Sequence, residues 1–148
     1  MRFDGMSVAE ADGFRAGAAD AYGTAPERQV SEGGAPCRCC LRMIAEGEEM
    51  LVLAYRPFTA LQPYAETGPV FLHAAPCAPE GAPEILVSPE YLLKGYSAEE
   101  RIIYGTGQVT PRDEIERYAG ALLAREDVAF VDLRSARNNC WQARITRG

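Results

Sequence analysis

The sequence predicts an α+β fold: a mostly antiparallel sheet packed by one or two helices and joined by long irregular loops. Three observations carry that expectation. Short β-rich runs recur along the chain, a single segment near residue 115 shows a sustained helical period, and no regular βαβ alternation is present. A length of 148 residues suits one domain, 1–148, divided into a helix plus irregular arm over 1–36 and a strand-rich core over 37–148. With 47% hydrophobic and 24% charged residues, the chain has enough apolar surface to fold without disulfides closing it.

Ser7 followed by Glu10 has the form of a capping box and predicts a helix over 8–19, with Val8, Ala11, Phe14 and Ala18 near one side. Residues 22–36 (YGTAPERQVSEGGAP) read as an irregular arm leading to the first cysteines. EMLVLAY at 49–55 is a compact apolar run stopped at Arg56-Pro57, hence a mostly buried strand. A second short strand is expected over 70–73, after a looped excursion at 61–68. Three prolines make 74–83 a loop. Residues 84–87 are a candidate strand, and Ser88-Pro89-Glu90 begins a helical turn or a register change.

RIIYGTGQV at 101–109 reads as a strand bulged at Gly105 and Gly107. That Gly-Thr-Gly is too short for a phosphate loop and lacks the following lysine. Thr110, Pro111 and Asp113 supply a cap, a first-turn proline and an early acid, so a helix is expected to start there. Ile115, Tyr118, Ala119, Leu122 and Leu123 then form one apolar face against a sheet. Strands over 128–133 and 140–145, joined by SARNN turn chemistry, are expected to close the fold as an antiparallel hairpin.

Fifteen basic against twenty-one acidic residues give a net charge of -6, with no basic stripe. Nucleic acid and anionic membranes are therefore not expected partners. No apolar run approaches the ~20 residues of a membrane span. Asp4, Glu10 and Asp12 interrupt the start of the chain, so it cannot serve as a secretory signal, and a reducing cytoplasm is the expected setting. There, five cysteines read better as metal ligands, reactive thiols or small core residues than as a disulfide framework.

The cysteine blocks carry more than composition. GAPCRCCLR at 34–42, LAYRPFTALQPYAETGPVFLHAAPC at 53–77, RIIYGTGQV and RSARNNCWQARI at 134–145 together resemble the bacterial family named domain of unknown function 1203. The resemblance spans nearly the whole chain and implies membership without an activity. It also implies a Cys-Arg-His-Cys order, from which Cys39 departs, so less is expected of Cys39 than of Cys37 and Cys40.

Cys37-x-x-Cys40 lets two thiolates converge on one ion from a short turn, and His73-x-x-x-Cys77 can do so from a strand end and its loop. Joined, they would make a Cys3His shell for zinc or a similar metal. The 32 residues between the halves require tertiary folding to assemble it. The competing explanation is that Cys39, Cys40 and Cys77 are buried small hydrophobes and that His73 bonds a backbone carbonyl. A filled shell would be structural, whereas a catalytic metal needs an open position. Arg134, Arg137, Asn138 and Asn139 form a second candidate, able to bind a carboxylate or phosphate beside Trp141, though turn formation alone explains both asparagines.

The leading expectation is a small zinc- or thiol-containing domain that binds a protein or small-molecule partner without catalysis. The alternative is a small hydrolase or transferase using Cys37 or Cys40 with His73 as base, or a metal that they hold. Neither reading fixes a substrate, a catalytic residue or an oligomeric state.

Overall fold

Residues 1–148 are all described by the computed structural model. The chain opens with β1 (Arg2–Asp4), α1 (Val8–Arg15), β2 (Glu27–Val30), β3 (Ala35–Pro36), β4 (Met43–Ile44), β5 (Glu49–Tyr55) and β6 (Gly68–His73). It continues with β7 (Glu90–Tyr96), β8 (Gln108–Pro111), a 3-10 turn (Arg112–Glu114), α2 (Ile115–Leu123), β9 (Phe130–Ser135) and β10 (Trp141–Thr146). Every ladder between these strands is antiparallel, so the predicted α+β class holds. The chain divides into two compact units. One contains Met1–Asp4, Phe58–Ala65 and Leu86–Gly148, and the other contains Gly5–Pro57 and Glu66–Ile85.

The first unit is a five-stranded sheet in the order β1-β10-β9-β7-β8, with α2 on one face. The helical period predicted at 115–123 is the reason that α2 packs there: Ile115, Ala119, Leu122 and Leu123 are buried with Tyr91, Leu93, Val131, Leu133 and Ile145. Each of the buried Ile, Leu and Val side chains contributes roughly 1.5–3 kcal/mol of burial, and Tyr118 ties the same helix down by donating to the Thr106 carbonyl at 2.7 Å.

The strands alternate, so Phe130, Asp132 and Arg134 point away from α2. Asp132 is fully buried and is gripped at both oxygens by Arg144, through Nε at 2.7 Å and a terminal nitrogen at 3.1 Å. The Arg144 guanidinium lies 3.7 Å from the Phe130 ring centre and 5.3 Å from that of Phe58. Phe130 in turn stacks on Tyr96 at 5.1 Å. Burial pushes the Asp132 carboxyl up, against the pull of Arg144 and Arg134.

The second unit is built on β2-β5-β6. Met50, Leu51, Leu53, Tyr55, Val70 and Leu72 are buried in it, so 49–55 is the mostly buried strand that its compact apolar run predicts. Asp20 binds this sheet to the arm before it, its carboxylate accepting from the backbone N–H of Ala54, Tyr22 and Thr24. These bonds, chiefly that from Ala54, hold its carboxyl below the usual range.

Several expectations are corrected. The capping box at Ser7 and Glu10 is present, but α1 ends at Arg15 because Gly17 adopts φ 97°, so the helix expected over 8–19 is four residues shorter. The arm at 22–36 contains β2 and β3, which gain their order by pairing with β5 and β4. Residues 84–87 are not a strand; the strand starts at Glu90, where Ser88-Pro89-Glu90 is expected to begin a helical turn or a register change, and no helical turn forms there. Between 101 and 107 the chain turns instead of extending, with Gly105 at φ 91° and Tyr104 77% exposed, and only β8 remains as strand. Thr110 therefore lies in β8 and bonds the Gln108 carbonyl, and no side chain caps α2. The closing hairpin is present two residues later in β9 and one later in β10 than expected.

Candidate metal centre

The strands β3 and β4 pair Ala35 with Ile44 and Pro36 with Met43, which leaves 37–42 as the turn of a small hairpin. Cys37 and Cys40 project from this turn. It is closed by the Cys37 N–H to the Arg42 carbonyl at 2.9 Å and by the Leu41 N–H to the Cys37 carbonyl at 3.1 Å. The reversal places Leu41 at φ 59°, a left-handed conformation that a leucine adopts only where the surroundings hold it. The hairpin docks on β6, where Arg38 N–H donates to the Phe71 carbonyl at 2.9 Å. His73 ends that same strand.

Cys77 follows in the proline-rich loop. Arg42 straps the loop to the hairpin by donating to the Glu80 carbonyl at 2.8 Å, and Glu84 N–H donates to the Leu41 carbonyl at 2.8 Å.

These local arrangements bring Cys37, Cys40, His73 and Cys77 together, with all four donor atoms within 4.8 Å of one another. Tetrahedral zinc with Zn–S about 2.3 Å and Zn–N about 2.0–2.1 Å sets donor separations of about 3.8 Å for S···S and about 3.5–3.6 Å for S···N. Cys37 Sγ lies 3.8 Å from Cys77 Sγ, and Cys40 Sγ lies 3.4 Å from His73 Nδ1. Two edges of the donor set thus already have the length that the ion would impose. Cys37, Cys39 and Cys40 are buried, while Cys77 and His73 are partly exposed.

The electrostatics suit a cation. A hydrogen bond from the Cys40 thiol, backed against burial by the N–H groups of His73, Cys40 and Cys39, holds the Cys37 thiol down at about 4. The same bond, with burial and the neighbouring Cys37 charge, pushes Cys40 up. Without a metal the pair keeps one proton, which binding would displace. Burial, then the charges of Cys77 and Cys37, pushes Cys39 up to about 12, and its sulfur faces the Cys77 carbonyl oxygen at 3.8 Å. Cys39 belongs to the lining rather than to the donor set.

Three participants escaped the sequence reading. Arg15, at the end of α1, donates to Cys77 Sγ at 2.9 Å, to the His73 carbonyl at 3.0 Å and to Asp12 at 3.0 Å. Three thiolates around a divalent cation leave one negative charge, and Arg15 supplies the opposite one. Glu48 lies 4.0 Å from His73 Nε2, on the ring nitrogen opposite the one that faces the sulfurs, where metal-bound histidines commonly meet a carboxylate. Gly5 lets the chain run against the hairpin, where Met6 N–H donates to the Arg38 carbonyl at 2.7 Å. A Cβ at Gly5 would sit 2.2 Å from that carbonyl oxygen and 3.0 Å from the next. Gly5→Ala is expected to force the cysteine turn out of place and to lower stability by about 2 kcal/mol or more, measured as a fall in the denaturant midpoint. No spacing rule links positions 5, 15 or 48 to the cysteines; only the fold does.

The polar quartet is split. Arg134 is buried and donates to the Asn139 carbonyl at 3.1 Å, and Asn139 takes φ 58° in the turn after β9. Arg137 and Asn138 line a cleft of about 370 Å³ with Ser88, Glu90 and Ser135.

Residues 34–147 match the family model described as a protein of unknown function (DUF1203). No curated protein and no solved structure matches the chain.

Proposed function

The chain belongs to DUF1203, a family of proteins of unknown function, and from its own side chains we propose that it is a non-catalytic domain built around one structural zinc ion, with a surface that binds a protein or small-molecule partner. The observation that carries this reading is the donor set: three sulfurs and one imidazole nitrogen whose separations include the edges of a zinc-centred tetrahedron. Four protein donors fill the shell and leave no position for water or substrate, which favours a structural role over hydrolysis. The depressed Cys37 thiol serves the same purpose, because a ligand must be deprotonated just as a nucleophile must. Its sulfur is fully buried, out of reach of a substrate. A reducing cytoplasm would keep these thiols available to the metal.

Elemental analysis of protein purified without a metal-binding tag tests the reading. About one zinc per chain is expected; a chain that folds and melts normally with none refutes it. Arg15→Gln is expected to keep the fold while weakening zinc affinity about 10–100-fold, read by competition with a chromogenic chelator. Arg15→Lys should recover part of that loss, since its charge is retained but its paired donors are not.

For the partner, the cleft beside β9 is the best-supported location. Arg137 and Glu90 place opposite charges on its lining, with Asn138 and two serines as neutral donors and acceptors. That composition suits a ligand carrying both charges better than a bare anion.

A further inference from the structure

We infer that Cys77 is a site of oxidative modification by hydroperoxides, which convert it to a disulfide with Cys37 and so release the metal. The inference rests on the zinc reading above. Among the cluster cysteines, Cys37 and Cys39 are 0% exposed and Cys40 is 5% exposed, whereas Cys77 is partly open to solvent. Cys77 also stands outside any strand, in the loop after β6, while the others are fixed in the hairpin turn. An oxidant arriving from solvent therefore meets Cys77 first. A metal-bound thiolate remains a nucleophile, and its attack on a peroxide needs only access.

The second sulfur is in place. Cys37 Sγ is 3.8 Å away, so forming a bond of about 2.05 Å requires an approach of about 1.8 Å, which a loop residue can supply. The Cys39 thiol also hydrogen-bonds the Cys77 side chain and faces its carbonyl oxygen at 3.8 Å, but it is not a donor to the metal. The chemistry balances in two steps. Cys77 thiolate attacks the peroxide oxygen; the O–O bond breaks, hydroxide leaves, and Cys77 becomes a sulfenic acid. Cys37 thiolate then attacks that sulfur; the S–O bond breaks, a second hydroxide leaves, and the disulfide forms. Two electrons pass from the sulfurs to the peroxide. Only Cys40 and His73 then remain as ligands, too few for a tetrahedral zinc site. Arg15 loses the charged sulfur to which it donates.

The test uses the full chain in a Cys140→Ser background, which removes the other partly exposed thiol. Zinc content is measured first. The protein is then titrated with hydrogen peroxide beside a chromogenic chelator, and disulfides are mapped by mass spectrometry without reduction. About one zinc is expected to leave per disulfide formed, with Cys37 joined to Cys77. Thiol reductant plus zinc should reverse both changes. Cys39→Ala should leave the release unchanged, because Cys39 is not the partner. Zinc retained under peroxide, a disulfide mapped to Cys39 or Cys40, or release abolished by Cys39→Ala would each overturn the inference. Protein isolated with no zinc would overturn the metal reading and the release together, and the mapping on that same sample would still decide the sulfur pairing.

Discussion

Cys37→Ser and His73→Ala should each abolish stoichiometric zinc binding and unfold the unit formed by Gly5–Pro57 and Glu66–Ile85 at room temperature. Binding of a structural zinc contributes apparent free energies of about 10–16 kcal/mol in small metal-dependent folds. Whole domains are stable by only about 5–15 kcal/mol, so the lost ligand removes a term as large as the stability itself. The apolar support within the unit is modest: a three-stranded sheet, a two-residue-wide hairpin and an eight-residue helix. Dialysis against a strong chelator should reproduce the variants in the unmodified chain, and added zinc should restore it. Cys39→Ala, equally buried but outside the donor set, should cost only about 1 kcal/mol. Thermal melts followed by circular dichroism separate the cases; equal melts for Cys37→Ser and Cys39→Ala would mean that the cysteines are core residues and nothing more.

Arg144→Met should cost the other unit about 3–5 kcal/mol, because it leaves the Asp132 carboxylate buried without its bidentate partner. It also removes the cation between Phe58 and Phe130. The deficit should depend on pH. Burial already raises the Asp132 carboxyl, and loss of Arg144 raises it further. A carboxyl whose folded-state value lies above its unfolded one contributes most below the unfolded value, and that contribution is lost as pH rises through the folded value. The gap between variant and parent should therefore narrow as pH falls from 7 toward 5. A gap independent of pH would mean that Asp132 keeps its charge satisfied by Arg134 or another group.

What the sequence revealed follows from which forces are local. The apolar face of α2 and the run 49–55 were legible because helical period and a compact apolar run are written in neighbouring residues. β2 and β3 were not legible, because an exposed, mostly polar ERQV and a two-residue Ala-Pro are ordered by their partners rather than by their own propensity. β7 was missed for a related reason: EYLLKGY has mixed polarity and an internal glycine, and it becomes a strand by lying between β9 and β8. At the site, thiols and imidazole announce themselves by chemistry, so the four donors could be named from spacing. Arg15 is an ordinary helix-terminal arginine until folding brings Cys77, sixty-two positions later, to its guanidinium. Arg134 and Arg137 look alike in sequence, yet strand alternation buries one and the turn exposes the other.

The hairpin that carries Cys37 and Cys40 also sets a schedule. It leaves the ribosome ahead of its partners, for Cys77 emerges thirty-seven residues after Cys40. At about 5–20 residues per second, the two early thiols wait about 2–7 s for their partners. A zinc ion captured by the hairpin in that interval would be held by two ligands on a nascent chain, and the arrival of His73 on β6 and then of Cys77 would complete the grip. With that order of capture, the first half-site would serve as a template for the second.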